Sequence, residues 1–94
     1  MNPLIEQHRH KIRRLATRRD IHNVRLFGSM SRDDARPESD VDLLVESTNL
    51  KSGLALGGFL ADVADLLGRK VDVVTEQALH PRIRERVLRE VQPL

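Results

Sequence analysis

Asp40 and Asp42 stand one residue apart at the head of an apolar run, SDVDLLVE, in which Val41, Leu43, Leu44 and Val45 crowd together. A carboxylate is costly to bury without a partner. Side chains alternate across a strand, so the two acids project to one face. Their Cα atoms should lie roughly 6.6 Å apart, at about 3.3 Å per residue. Such a pair can share hard cations. Mg2+ takes oxygen ligands, keeps several waters and binds substrate phosphates. A two-metal site spaces its ions about 3.5–4 Å apart, a gap these carboxylates can bridge. A bare Asp-x-Asp more often marks two solvated acids on an edge strand, so other residues must carry the distinction.

Asp72 is the first of them. It sits in KVDVVT between Val71 and Val73, the same apolar–acid–apolar pattern. If the two strands are neighbours in register, Asp72 completes a three-carboxylate cluster, which repels itself unless a cation is shared. Gly28-Ser29 is the second. Glycine at a strand end allows close backbone approach or a positive φ. Ser29 can cap the following turn, leaving N–H groups aimed outward at an anion such as phosphate. Arg32, one turn later, can reach the same anion.

The elements that must position these residues read clearly. Residues 3–19 form a helix, with Asn2 as cap and Pro3 in the first turn. Leu4, Ile5, His8, Ile12, Leu15 and Ala16 share one face at helical spacing. Asn23 to Phe27 is a short strand, with Val24 and Leu26 alternating against Arg25 and Phe27. A short helical turn runs from about Ser29 to Ala35 and ends near Pro37. Val41 to Glu46 is the second strand, STNLKSG a loop, and Leu54 to Leu67 an amphipathic helix stopped by Gly68. KVDVVT is the third strand. Pro81 opens a last helix with Ile83, Val87, Leu88 and Val91 inward, and Pro93 closes it. The order α-β-α-β-α-β-α implies an α/β fold, a small mixed sheet of about three strands with helices packed on it.

Composition narrows the function. The 94 residues suit one domain, 1–94. With no Trp or Tyr and two Phe, stacking platforms for bases are nearly absent. There is no cysteine, hence no disulfide, thiolate site or thiol nucleophile. No signal peptide or membrane span is evident, so a cytoplasmic protein is expected. The net charge of +2 conceals an asymmetry. Residues 1–22 carry six Arg/Lys against two acids, and residues 33–76 carry ten acids against four bases.

Taken together, Gly28-Ser29, ten residues, and Asp40-Val41-Asp42 resemble the G-S-x10-D-x-D signature of the DNA polymerase β nucleotidyltransferase superfamily. Asp72 lies where that family places its third carboxylate. The resemblance runs through nearly the whole chain, including PRIRERVLREV. The size resembles the minimal nucleotidyltransferases (MNT), many of which are antitoxins paired with HEPN-domain RNase toxins. It implies a nucleotidyltransferase fold and AMP transfer from ATP by a two-Mg2+ mechanism. Asp40 and Asp42 would hold both ions. Asp72 would bind the catalytic ion and help deprotonate the acceptor hydroxyl. Gly28 and Ser29 would grip the β/γ phosphates, with Arg32 assisting. In the HEPN/MNT pairs the acceptor is a tyrosine on the toxin, and AMP added there blocks the RNase site.

Two residues depart from the family pattern. Many relatives read G-S-x-A-R-G where this chain reads GSMSRD. Ser31 replaces Ala, and Asp33 stands where Gly is common, an acid mildly unfavourable beside a triphosphate. A chain this short leaves no room for an acceptor-holding domain, so the acceptor is expected on a partner chain.

Rival readings are a binding antitoxin that occludes its partner without catalysis, and a nucleotidyltransferase with another acceptor. Nucleic-acid binding through Arg9, Lys11, Arg13, Arg14, Arg18 and Arg19 is not expected, since these charges spread around the helix and no reading motif accompanies them. A zinc site is not expected either. His8 and His10 are two apart on a helix and cannot share a face, and His22 and His80 lie in or beside loops.

Overall fold

The computed structural model describes residues 2–32, 39–48 and 52–94. The Asn2 side chain accepts the Leu4 N–H at 2.9 Å, and Pro3 opens α1 (Pro3–Thr17). Its inward stripe is Ile5, Ile12 and Ala16, all buried. The helix stops two residues before the expected end, and the turn that follows carries Asp20 at φ 56°.

β1 (Ile21–Phe27) starts earlier than its alternation suggests. Asn23 takes φ 51°, and the pairing register shifts between His22 and Arg25. That extra residue is a β-bulge. It lets Ile21, Val24 and Leu26 all be buried although their spacing is three and then two. β2 (Val41–Ser47) pairs antiparallel with β1, then α2 (Ser52–Leu67) crosses over to β3 (Val71–Thr75), which runs parallel to β2. Gly68, at φ 63°, ends α2 and donates to the Ala64 carbonyl at 2.8 Å.

A 3₁₀ turn (Glu76–Ala78) leads into α3 (Pro81–Glu90), and β4 (Gln92–Pro93) follows. The sheet order is β3-β2-β1-β4. The mixed sheet with packed helices is as expected, but it has four strands instead of three. Pro93 does not close the last helix. α3 ends at Glu90, Gln92 pairs with Leu26, and the Leu94 N–H donates to the Val24 carbonyl at 2.9 Å. Proline is tolerated because β4 is an edge strand.

The period of two sorts the sheet into faces. Leu26, Val41, Leu43, Val45 and Val71 pack with Ile5, Ile12, Phe59 and Val63 of α1 and α2. Leu44 points the other way and joins Leu79 and Val87, with Phe27, Val74 and Val91 around them. This second face is thinner. Ile83 and Leu88, expected to be buried, are each 38% exposed. The seam under α3 is narrow, so only Val87 of the helix is enclosed. Among the described residues no helix is long and apolar enough to cross a membrane.

Arg25, expected on the outer side of its strand, is 7% exposed. Its Nη1 donates to Glu76 Oε1 at 2.7 Å and its Nε to the Asn23 carbonyl at 3.1 Å. Removing one partner of a largely buried pair strands the other charge. Because Glu76 itself is partly exposed, Glu76→Ala is expected to cost about 2 kcal/mol. The check is chemical denaturation, with Arg25→Met added to the variant restoring most of the loss.

Candidate active site

Sheet register brings the acids together. Phe27 pairs with Asp42 across β1 and β2, and Asp42 pairs with Asp72 across β2 and β3. Asp42 and Asp72 therefore share a row on the face opposite α1 and α2, the face carrying Leu44 and Val74 one pair further on. Asp40 precedes β2 and, by alternation, leans to the same side. Its entry is held from the strand next door. The Val41 N–H donates to the Lys70 carbonyl at 3.0 Å, and Arg69 Nη1 to the Ser39 carbonyl at 3.3 Å. Lys70 Nζ lies 3.8 Å from Asp40 Oδ2, an exposed pair worth little in stability.

Asp42 records the crowding. Partial burial pushes its carboxyl pKa up from the ordinary value, the negative charges of Asp72 and Asp40 push it further, and Arg32 pulls it back. Carboxylates that raise one another in this way are relieved by a shared cation. Among the described residues no three or more His, Asp or Glu side chains stand close enough together to hold a metal ion as they are. The donor set is nonetheless all carboxylate oxygen, the chemistry that suits Mg2+.

β1 ends directly against this row. Gly28 has φ 75°, and a Cβ there would run into the Asp42 carboxylate, with Cγ only 3.3 Å away. The glycine thus makes room for the central acid. Its carbonyl accepts from the Ser31 N–H at 3.0 Å and the Arg32 N–H at 3.2 Å, folding the chain back. Ser29 lies half-buried inside that turn, and Met30 is buried in the main core beneath it. The segment is a turn, not helix, as far as Arg32. Asp33, Ala35 and Pro37 lie outside the described residues.

The expected site residues Gly28, Ser29, Arg32, Asp40, Asp42 and Asp72 therefore gather at one end of β1, β2 and β3. Met30 and Glu90 were missed. Met30 carried a signal, an apolar residue in a polar loop. Glu90 carried none, because its contacts lie 58 and 59 residues away in sequence: Oε2 meets Arg32 Nη1 at 3.2 Å, and its backbone carbonyl accepts from the Ser31 hydroxyl. The basic residues of α1 are partly committed to the fold. Arg9 donates to the carbonyls of Pro93 and Leu94, both at 3.1 Å, and Arg19 pairs with Asp62 at 3.1 Å. His80 caps α3, accepting the Arg82 N–H at 3.1 Å.

Known proteins share this fold. Residues 5–94 match the family model of the nucleotidyltransferase domain. Protein adenylyltransferase MntA of Thermococcus cleftensis is 36% identical over 77 residues, covering 82% of this chain and 78% of that protein. A solved structure described as a candidate minimal nucleotidyltransferase superposes with TM-score 0.84 at 40% identity, covering 96% of this chain and 92% of that one. The MNT antitoxin complex with tri-AMPylated Shewanella oneidensis HEPN toxin shares the fold at TM-score 0.70 and 20% identity, covering 94% of this chain and 69% of the matched one. With the family model matching nearly the whole chain and a 36%-identical relative covered over most of its length, the chain belongs to the nucleotidyltransferase family and is a transferase.

Proposed function

We propose that residues 1–94 act as one minimal nucleotidyltransferase domain that moves AMP from ATP onto a tyrosine of a partner HEPN-type RNase toxin, neutralising it. The observation that carries this reading is the register: Asp42 lies opposite Asp72 in a parallel pair, with the Gly28 backbone against the Asp42 carboxylate. The name of the Thermococcus relative and the toxin-bound state of the Shewanella protein support it.

Asp40, Asp42 and Asp72 would hold Mg2+, two ions in the full site. When bound, the ions neutralise charge on the phosphates and on the departing group. The turn from Gly28 presents backbone and the Ser29 hydroxyl to the β and γ phosphates, and Arg32 adds a guanidinium at its edge. The tyrosine oxygen attacks the α-phosphorus in line, forming a P–O bond. The bond from that phosphorus to the bridging oxygen breaks and pyrophosphate leaves. Asp72 receives the hydroxyl proton. The protein's share is positioning and charge placement.

The test is a 1:1 mixture of this protein, the product of its neighbouring gene, Mg2+ and ATP labelled in the α-phosphate. Label is expected on the partner and absent when its acceptor tyrosine is Phe. Tight binding that inhibits the RNase with no label transferred would replace this reading with occlusion.

A further inference from the structure

Glu90 is the last residue of α3, just before the chain turns to pair β4 with β1. Because β1 runs on into the Gly28 turn, this return path places the end of α3 beside that turn. Glu90 then touches two consecutive residues of the turn in different ways. Its backbone carbonyl, one of those a helix C-terminus leaves without an intrahelical donor, accepts from the Ser31 hydroxyl. Its carboxylate accepts from Arg32 Nη1 at 3.2 Å. The Glu90 side chain is 23% exposed and that of Arg32 45%. The pair therefore joins α3 to the turn and still meets solvent.

A guanidinium has five N–H donors in a rigid fork. Glu90 accepts from one of them and restrains the fork. The Arg32 N–H donates to the Gly28 carbonyl at 3.2 Å, and Gly28 lies against the Asp42 carboxylate. Arg32 therefore links the α3 carboxylate to the turn that borders the acid row. A free arginine loses much rotamer freedom when it grips a phosphate, whereas a clamped one has already lost it.

We propose that Glu90 is a positioning residue for nucleotide binding: it presets the Arg32 guanidinium at the mouth of the site, while the Ser31 hydroxyl locks the turn to the same helix end. This rests on Arg32 binding the triphosphate, as in the proposed function. Ser31 is then the second stitch.

The experiment measures the dissociation constant of a non-hydrolysable ATP analogue with Mg2+ by calorimetry, together with KM, kcat and Tm, for wild type, Glu90→Gln, Glu90→Asp, Arg32→Ala and the Arg32→Ala/Glu90→Gln double variant. Glu90→Gln is expected to weaken analogue binding and raise KM by about 5–10-fold, with kcat within about twofold. Glu90→Asp should recover part of the loss. In the Arg32→Ala background, Glu90→Gln should change nothing further. Tighter binding by Glu90→Gln would mean that Glu90 competes with the phosphates, and would overturn the proposal. An equal loss with or without Arg32 would reduce Glu90 to a structural role. If wild type transfers AMP and Arg32→Ala weakens binding but Glu90→Gln does not, the inference fails and the proposed function stands. If Arg32→Ala itself leaves binding unchanged, the assigned role of Arg32 fails with it.

Discussion

Asp42→Asn is expected to abolish transfer and, at the same time, to make the protein more stable. The loss follows from position. Asp42 is the middle acid, next to Asp40 along the chain and opposite Asp72 across the ladder. A neutral amide there removes one of the charges proposed to hold the cation. Losing even about 4 kcal/mol of transition-state stabilisation lowers the rate roughly a thousandfold. The gain follows from the cause of the raised carboxyl. Burial and two neighbouring acids make the ionised form unfavourable in the folded state. A raised folded pKa means that the native state binds its proton more tightly than the unfolded chain does. The resulting penalty is full at neutral pH, shrinks as pH falls through the raised pKa, and is gone below the unfolded value. The amide never carries that charge. The variant should melt a few degrees higher at pH 7, since about 1 kcal/mol moves a domain of this size by roughly 4–8 °C and partial exposure discounts the effect. The advantage should close as the pH is lowered toward 4. Added Mg2+ should reverse the order by raising the wild-type Tm and leaving the variant nearly unmoved. On the proposed function, binding to the HEPN-type partner should persist in the variant while neutralisation disappears. Normal neutralisation would mean that occlusion is enough.

The site was more legible in the sequence than its supports were, for a physical reason. A strand has a strict period of two, so Asp40-Val41-Asp42 and Val71-Asp72-Val73 declare their faces without any tertiary knowledge. What bends or joins the strands leaves no such mark. The bulge at Asn23 breaks the alternation that would have revealed Ile21 as part of β1. β4 has two residues, one of them proline, and exists only because β1 offers it an edge. The helix face of α3 is a wider apolar arc than the sheet beneath can cover, so Ile83 and Leu88 stay partly exposed where periodicity puts them inside. Arg25 finds Glu76 51 residues away and Arg32 finds Glu90 58 residues away. No local pattern encodes such pairs. The face that α3 covers thinly is also the face that carries the acid row, which is consistent with a cleft that must stay open to nucleotide and acceptor.

Gly28 and Gly68 form a natural pair of controls, and substituting both with alanine is expected to separate chemistry from stability. Each has a positive φ, 75° and 63°. In both places an L side chain strains the backbone, at a cost of about 1–2 kcal/mol. Their surroundings differ. A Cβ on Gly68 meets nothing within 4 Å, whereas a Cβ on Gly28 meets the Asp42 carboxylate. Asp is too short to retreat without its carboxyl leaving the row, and Asp42 is bound by ladder pairing on both sides. The backbone of the phosphate turn must shift instead, or the acid must rotate. Either displaces one half of the site relative to the other. A misplacement of about 1 Å is enough to cost roughly a hundredfold in rate. Both alanine variants should therefore lose similar stability in thermal unfolding. Gly68→Ala should keep its rate within about twofold, while Gly28→Ala loses about a hundredfold and no longer gains in Tm from Mg2+. Equal activities in the two variants would mean that the contact between the Gly28 turn and Asp42 is incidental to transfer. Unequal ones would tie the Gly28 turn to the Asp42 carboxylate through a missing Cβ.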